Sequence, residues 1–276
     1  MKTGTRRSIG SLLTLSLAAA GLIAMPLAAG AAVQIEDVKR TSASGLAVQT
    51  SEDTATPNAV AVSFQGKCSY SVDGTNFVRI EAKDVFSMRL ASGRANDSSK
   101  AKTPLVFTQG MVVRTDEDSR VDLFFRRVGT TVRLQPGSEI RLEKMERHMR
   151  GGQPVMETLV ALEKGRIFIA VRSLVTGSTF EIRNAAGRSV VEGGGRGRYI
   201  VTADGTHVTE KGSVAQLKVI GETGVTLIAP GMQFSGKDGK MLPLEAPQAV
   251  KLLIEFDELD SLAEDGSTTD GTLNKE

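Results

Sequence analysis

From Ala59 onward the chain reads as short apolar runs that alternate with polar residues and are cut by glycine at intervals of roughly ten positions. Ala59-Val60-Ala61-Val62-Ser63-Phe64 runs into Gly66, and the run around Tyr70 meets Asp73-Gly74, a hairpin signal. Val121-Asp122-Leu123-Phe124-Phe125, Thr131-Val132-Arg133-Leu134, Glu139-Ile140-Arg141-Leu142 and Arg166-Ile167-Phe168-Ile169-Ala170-Val171 follow the same rule. So do Thr179-Phe180-Glu181-Ile182, Tyr199-Ile200-Val201, Gln216-Leu217-Lys218-Val219-Ile220 and Val225-Thr226-Leu227-Ile228. β-Branched residues at period two, with no helical period between them, predict an all-β body over 59–236, built as a solenoid, a sandwich or a barrel.

Two polar interruptions read as surface turns: residues 91–103, and residues 147–153 around Gly151-Gly152. One segment changes period. Pro247 suits a first helical turn, and Ala249, Leu252, Leu253, Phe256, Leu259 and Ala263 share one face, which predicts an amphipathic helix over 246–265 that Gly266 stops. Leu252, Leu253, Phe256 and Leu259 are therefore candidates either for capping the open end of the β body or for docking on a partner. Residues 266–276 are expected to be disordered.

The N-terminus is different again. Lys2, Arg6 and Arg7 precede an apolar stretch over 9–27 and the run Ala28-Ala29-Gly30-Ala31-Ala32. That order predicts a secretory signal peptide, 1–31, cut after Ala31, with a cut after Ala32 and an uncleaved anchor as the other readings. Arg6-Arg7 also fits twin-arginine export, though the general secretory route is the leading expectation. Residues 32–58, rich in Ser, Thr, Ala and Asp, read as a flexible lead-in. The protein is thus expected to be periplasmic or secreted, with no stable membrane span after cleavage.

Composition narrows the function classes. Aromatics make up 4% of residues and Trp is absent, which argues against an aromatic-lined sugar groove. A single cysteine, Cys68, leaves no internal disulfide framework. Without the three basic residues of the leader the formal charge of +2 becomes −1; residues 245–276 hold nine acidic and two basic residues, so residues 33–244 stand near +6. Docking of the tail on the body, attraction to an anionic surface and plain solvated faces all fit that asymmetry.

Candidate chemistry is sparse. His148 and His207 lie in different segments without ligands at zinc spacing, and no nucleophile elbow precedes a helix. His207, next to Asp204-Gly205, reads as a strand-edge residue. Glu139, Glu143, Glu157 and Glu163 alternate with basic residues and read as cross-strand charge pairs on a wet face. Gly193-Gly194-Gly195-Arg196-Gly197-Arg198 leads into a strand rather than a helix, so the glycines predict a bulge or tight arc. Arg196, Arg198 and Tyr199 remain as a candidate surface for an anion or partner. The basic stretch 126–150 is interleaved with acids, which argues against nucleic acid. No metal, no cofactor and no catalytic residue is expected.

In order along the chain, Asp118-Ser119-Arg120-Val121-Asp122-Leu123, then Gly129-Thr130-Thr131-Val132-Arg133-Leu134-Gln135-Pro136-Gly137-Ser138-Glu139-Ile140-Arg141-Leu142, then Leu162-Glu163-Lys164-Gly165-Arg166-Ile167, resemble the FecR domain. Phe180-Glu181-Ile182 through Gly187 and the closing Lys211-Gly212-Ser213-Val214 extend the resemblance over roughly 59–234. It implies a compact β-solenoid-like fold, with β-sandwich as the alternative, and a role in envelope protein–protein contact. Well-known members join such a domain through a membrane helix to a cytoplasmic anti-sigma segment. The few residues before the apolar stretch here imply a stand-alone exported domain without that segment. The family's "G-T-x-F" is replaced by Gly193 to Tyr199. The expectation is a non-enzymatic module that binds an envelope protein. A structural envelope protein that associates with anionic polymer, or with itself through strand edges, is the alternative.

Overall fold

Alternation of inward and outward side chains organises the computed structural model, which describes residues 57–86, 105–222 and 224–267, with side chains up to 262. The leader with Ala31, nearly all of the lead-in, the loop 91–103 and residues 268–276 lie outside the described residues.

One sheet contains β1 (Ala59–Gln65), β4 (Val106–Phe107), β6 (Arg120–Phe125), β7 (Thr130–Leu134), β10 (Arg166–Val171), β13 (Gly197–Thr202), β14 (Thr206–Thr209), β17 (Met232–Ser235) and β18 (Lys240–Pro243). Its spatial order is β18-β17-β14-β13-β10-β7-β6-β1-β4. The other contains β2 (Cys68–Ser71), β3 (Val78–Arg79), β5 (Val112–Thr115), β8 (Glu139–Arg150), β9 (Gln153–Lys164), β11 (Thr179–Asn184), β12 (Gly187–Glu192), β15 (Leu217–Gly221) and β16 (Gly224–Ile228). Its order is β16-β15-β12-β11-β9-β8-β5-β2-β3. The chain therefore crosses back and forth between two sheets while it advances along both. Pairing is antiparallel except for β9 with β11, and among the described residues neither sheet closes into a barrel. The expected all-β fold with one C-terminal helix is present, and strands run on to Pro243, beyond the expected end of the body at 236.

Period two explains the core. Val121, Leu123 and Phe125 of β6, Val132 and Leu134 of β7, Ile167 and Ile169 of β10, and Tyr199 and Val201 of β13 point inward. They meet Ile140, Leu142, Val160, Phe180, Ile182 and Val191 of the other sheet. Phe125 and Phe180 touch edge to face, with centroids 5.3 Å apart, and tie the sheets together. β8 and β9 form a long hairpin whose turn is Gly151-Gly152 alone, both at positive φ (59° and 81°), the twist that a two-residue hairpin turn demands, so residues 147–150 and 153, expected within a wider surface turn, are paired strand instead.

The helix α1 (Ala246–Ser267) forms where the 3.6-residue period placed it, but two details differ from expectation. It runs through Gly266 rather than stopping there. It also lies across the outer face of the first sheet, over β7 and β10, instead of capping an open end. The reason is in the strands: β7 and most of β10 are buried on both faces, so their outward residues Phe168 and Ala170 need a cover.

Candidate functional site

The helix α1 sits on the outer face of the first sheet, where it meets both apolar and charged side chains. Phe168 and Ala170 of β10, Ile200 of β13 and Val208 of β14 form an apolar floor for Leu252, Phe256 and Leu259 of the helix. Phe168 and Phe256 pack edge to face at 5.4 Å. Leu253 is not part of this contact: it is 43% exposed, because at 100° per residue it lies about a quarter-turn from the line through Leu252, Phe256 and Leu259. Val250, Leu253 and Ile254 instead form an exposed apolar strip on the far side of the helix.

Arginines rim this floor. Asp122 and Arg133 are directly opposite on β6 and β7, and both point outward. Arg133 donates from Nε to Asp122 Oδ1 (2.7 Å) and from Nη2 to Oδ2 (3.2 Å), a bidentate pair in which both side chains are almost fully buried. Its Nη1 donates to Glu258 Oε2 of α1 (3.1 Å), and Arg120 Nη2 donates to the other oxygen of Glu258 (3.0 Å). Burial pulls the Arg133 guanidinium down, but Asp122 and Glu258 outweigh it and hold its proton more firmly than usual. Glu258 is pushed up by partial burial, yet Arg133 and Arg120 hold its carboxyl below the ordinary glutamate value.

Further along the helix, Arg198 donates from Nε and Nη2 to Asp260 Oδ2 (3.1 and 2.6 Å) and from Nη2 to Asp257 Oδ1 (2.8 Å). Arg196 Nη2 approaches the same Asp260 oxygen at 3.5 Å. Two sets of residues that the sequence singled out separately, Arg196 with Arg198 and the helix 252–259, thus belong to one place. Three acidic residues of α1, Asp257, Glu258 and Asp260, dock on arginines of the body.

Tyr199 does not join them, and its placement on a binding surface is corrected. Arg198 points outward, so its neighbour points inward, and the Tyr199 ring is fully buried with its hydroxyl donating to Ala215 O (2.7 Å). Burial pushes its phenol well up. The glycine run serves packing. A side chain on Gly197 would overlap the Tyr199 ring, and one on Gly193 would overlap the backbone of Val175.

His207 is corrected as well. It lies on β14, between β13 and β17, and is completely buried beside Phe234. Desolvation lowers its pKa to about 4, so it is neutral near pH 7. On the β8–β9 hairpin the register sets Glu146 against Glu157, and His148 joins them, a convergence that linear spacing could not show. Lys144 already supplies the positive charge there, 2.7 Å from Glu157 and 3.3 Å from Glu146. Glu143 likewise pairs with Arg183, in line with cross-strand charge pairing on an exposed face.

Comparisons with family models, with curated proteins and with solved structures gave no match. Among the described residues, no helix is long and apolar enough to cross a membrane.

Proposed function

We propose that this protein is a non-catalytic, exported binding module of the bacterial cell envelope, of FecR type, and that the face under α1 receives an acidic amphipathic helix from a protein partner. The observation that carries this reading is the seating of α1 itself. Arg120, Arg133, Arg196 and Arg198 face three helix carboxylates, around a floor filled by Leu252, Phe256 and Leu259. Such a surface selects a ligand by apolar spacing at i, i+4 and i+7 and by acids beside it. In this reading α1 is a resident occupant. Among the described residues of the helix, only Leu252, Phe256 and Leu259 keep less than a tenth of their surface exposed, and several of its ion pairs are open to solvent and to screening by salt. A partner helix with the same pattern competes for the face.

The test uses the full mature chain and a labelled peptide of residues 246–267. Phe256→Ala with Leu259→Ala loosens the resident helix, and the peptide is expected to bind this variant at least ~10-fold more tightly than the wild type. Adding Arg196→Glu and Arg198→Glu is expected to abolish binding. Equal peptide binding by wild-type and loosened chains, or indifference to the arginine changes, overturns the proposal. In intact cells, crosslinking to an envelope protein is expected to rise and fall with the same variants.

A further inference from the structure

Among the described residues four strands end the two sheets, and three of them are defended. β3 and β4 are two residues long, too short to template a partner. β18 carries Lys240 and ends in Pro243, features that discourage pairing. β16 differs. It is Gly224-Val225-Thr226-Leu227-Ile228, with neither charge nor proline, and among the described residues it is the terminal strand of its sheet, paired with β15 alone. Val225 is 63% and Leu227 48% exposed. An uncharged edge rich in β-branched residues with two exposed aliphatics is a template for strand addition.

We infer that β16 pairs antiparallel with β16 of a second copy of this chain, joining the two nine-stranded sheets across a two-fold axis at Thr226. Charge and pattern select this occupant. No charged residue occurs from 223 to 236, so the strand meets no like charge when it faces itself. Centred on Thr226, the pairing sets Val225 against Leu227 of the second copy, and Leu227 against its Val225, which gives two apolar cross-strand pairs on one face. Glu222 then falls opposite Pro230 of the second copy rather than opposite another carboxylate, and Pro230, without an N–H, ends the ladder. The same surface serves both partners, as a closed two-fold interface requires. This interface is separate from the face under α1 and stands or falls independently of it.

A five-residue strand pair is small, so association is expected to be concentration-dependent, with a dissociation constant of roughly 10–100 µM in sedimentation equilibrium. Leu227→Lys with Val225→Lys, both exposed, is expected to leave the melting temperature in place and to weaken association at least ~10-fold. Thr226→Cys reads the register, because the axis sets residue 226 against itself. This variant is expected to form an intermolecular disulfide under mild oxidation, whereas Ser261→Cys on α1 is not. Cys68 does not interfere: it is buried and its thiol is pushed up to about 11. A wild-type chain that stays monomeric throughout that range overturns the inference. So does a dimer that survives the lysine changes, or a Thr226→Cys chain that stays reduced.

Discussion

Arg133 and Asp122 form a two-bonded ion pair on the outward face of adjacent strands, beneath a helix that adds Glu258 to the same guanidinium. The pair lies between the strands β6 and β7 and the helix α1, and so links body and helix. Its worth depends on completeness, since a buried charge with its partner removed costs far more than the intact pair contributes.

Asp122→Ala is expected to destabilise the protein by about 3–5 kcal/mol, because Arg133 keeps its burial and loses its bidentate acceptor. Asp122→Leu with Arg133→Met is expected to recover most of that loss. Chemical denaturation of the four members of this cycle measures it, and a double variant no better than the single one refutes the account.

Phe256→Ala removes the ring that packs on Phe168 and is expected to cost about 3 kcal/mol for the docked state of α1. Amide exchange of 250–262 should quicken far more than exchange in β7. Raising the salt is expected to quicken helix exchange too, because the Arg120–Glu258 and Arg198–Asp257 pairs are partly open to solvent. Deleting residues 246–276 exposes Phe168, Ala170 and Ile200, and an unchanged melting temperature would contradict the packing described.

His207 sets a pH dependence. Its neutral form is favoured in the fold, with a native pKa of about 4 against an ordinary value of 6.5. Between those values the unfolded chain binds the extra proton, so stability is full above pH 6.5 and falls as pH drops toward 4, by roughly 3 kcal/mol at most. His207→Gln is expected to flatten the stability profile between pH 4 and 6.5, which urea melts at several pH values would reveal.

Gly197→Ala places a methyl group where the Tyr199 ring folds back over the strand, as aromatic rings do over strand glycines. The expected loss is about 1–3 kcal/mol. Tyr199→Phe alone forfeits the bond to Ala215 O for about 1 kcal/mol. In the double variant the two losses are expected to be less than additive, since the hydroxyl, the nearest of the overlapping atoms, is gone although the ring carbons still crowd the methyl. Thermal melts of the two singles and the double decide it.

Export has its own readout. Mass spectrometry of the protein from its native host is expected to give a mature N-terminus at Ala32, the residue after Ala31, in the extracytoplasmic fraction. An intact Met1 form in the cytoplasm would overturn the exported reading.

How much of this was legible in the chain depends on the range of the interaction concerned. Period-two alternation and glycine spacing are local, so most strands could be read directly, whereas the turn expected over 147–153 shrank to Gly151-Gly152 because cross-strand pairing carries β8 and β9 up to it. The helix could also be placed from its own period, and the basic body and acidic tail were visible as a charge imbalance. Alternation establishes that Arg198 and Tyr199 face opposite ways, but only the two-sheet packing decides which way is in; Tyr199 went to the core and Arg198 to the rim. Likewise the helix face was assigned too wide at Leu253, which lies about a quarter-turn from the line through Leu252, Phe256 and Leu259 that the sheet buries. The union of Arg133 with Asp122 and Glu258 was out of reach, because it joins a cross-strand neighbour to a residue 125 positions away. Local periodicity, carried by each residue's own backbone, determined what the elements are. Register and the docking of one layer on another, which join residues far apart in sequence, determined which of their side chains meet.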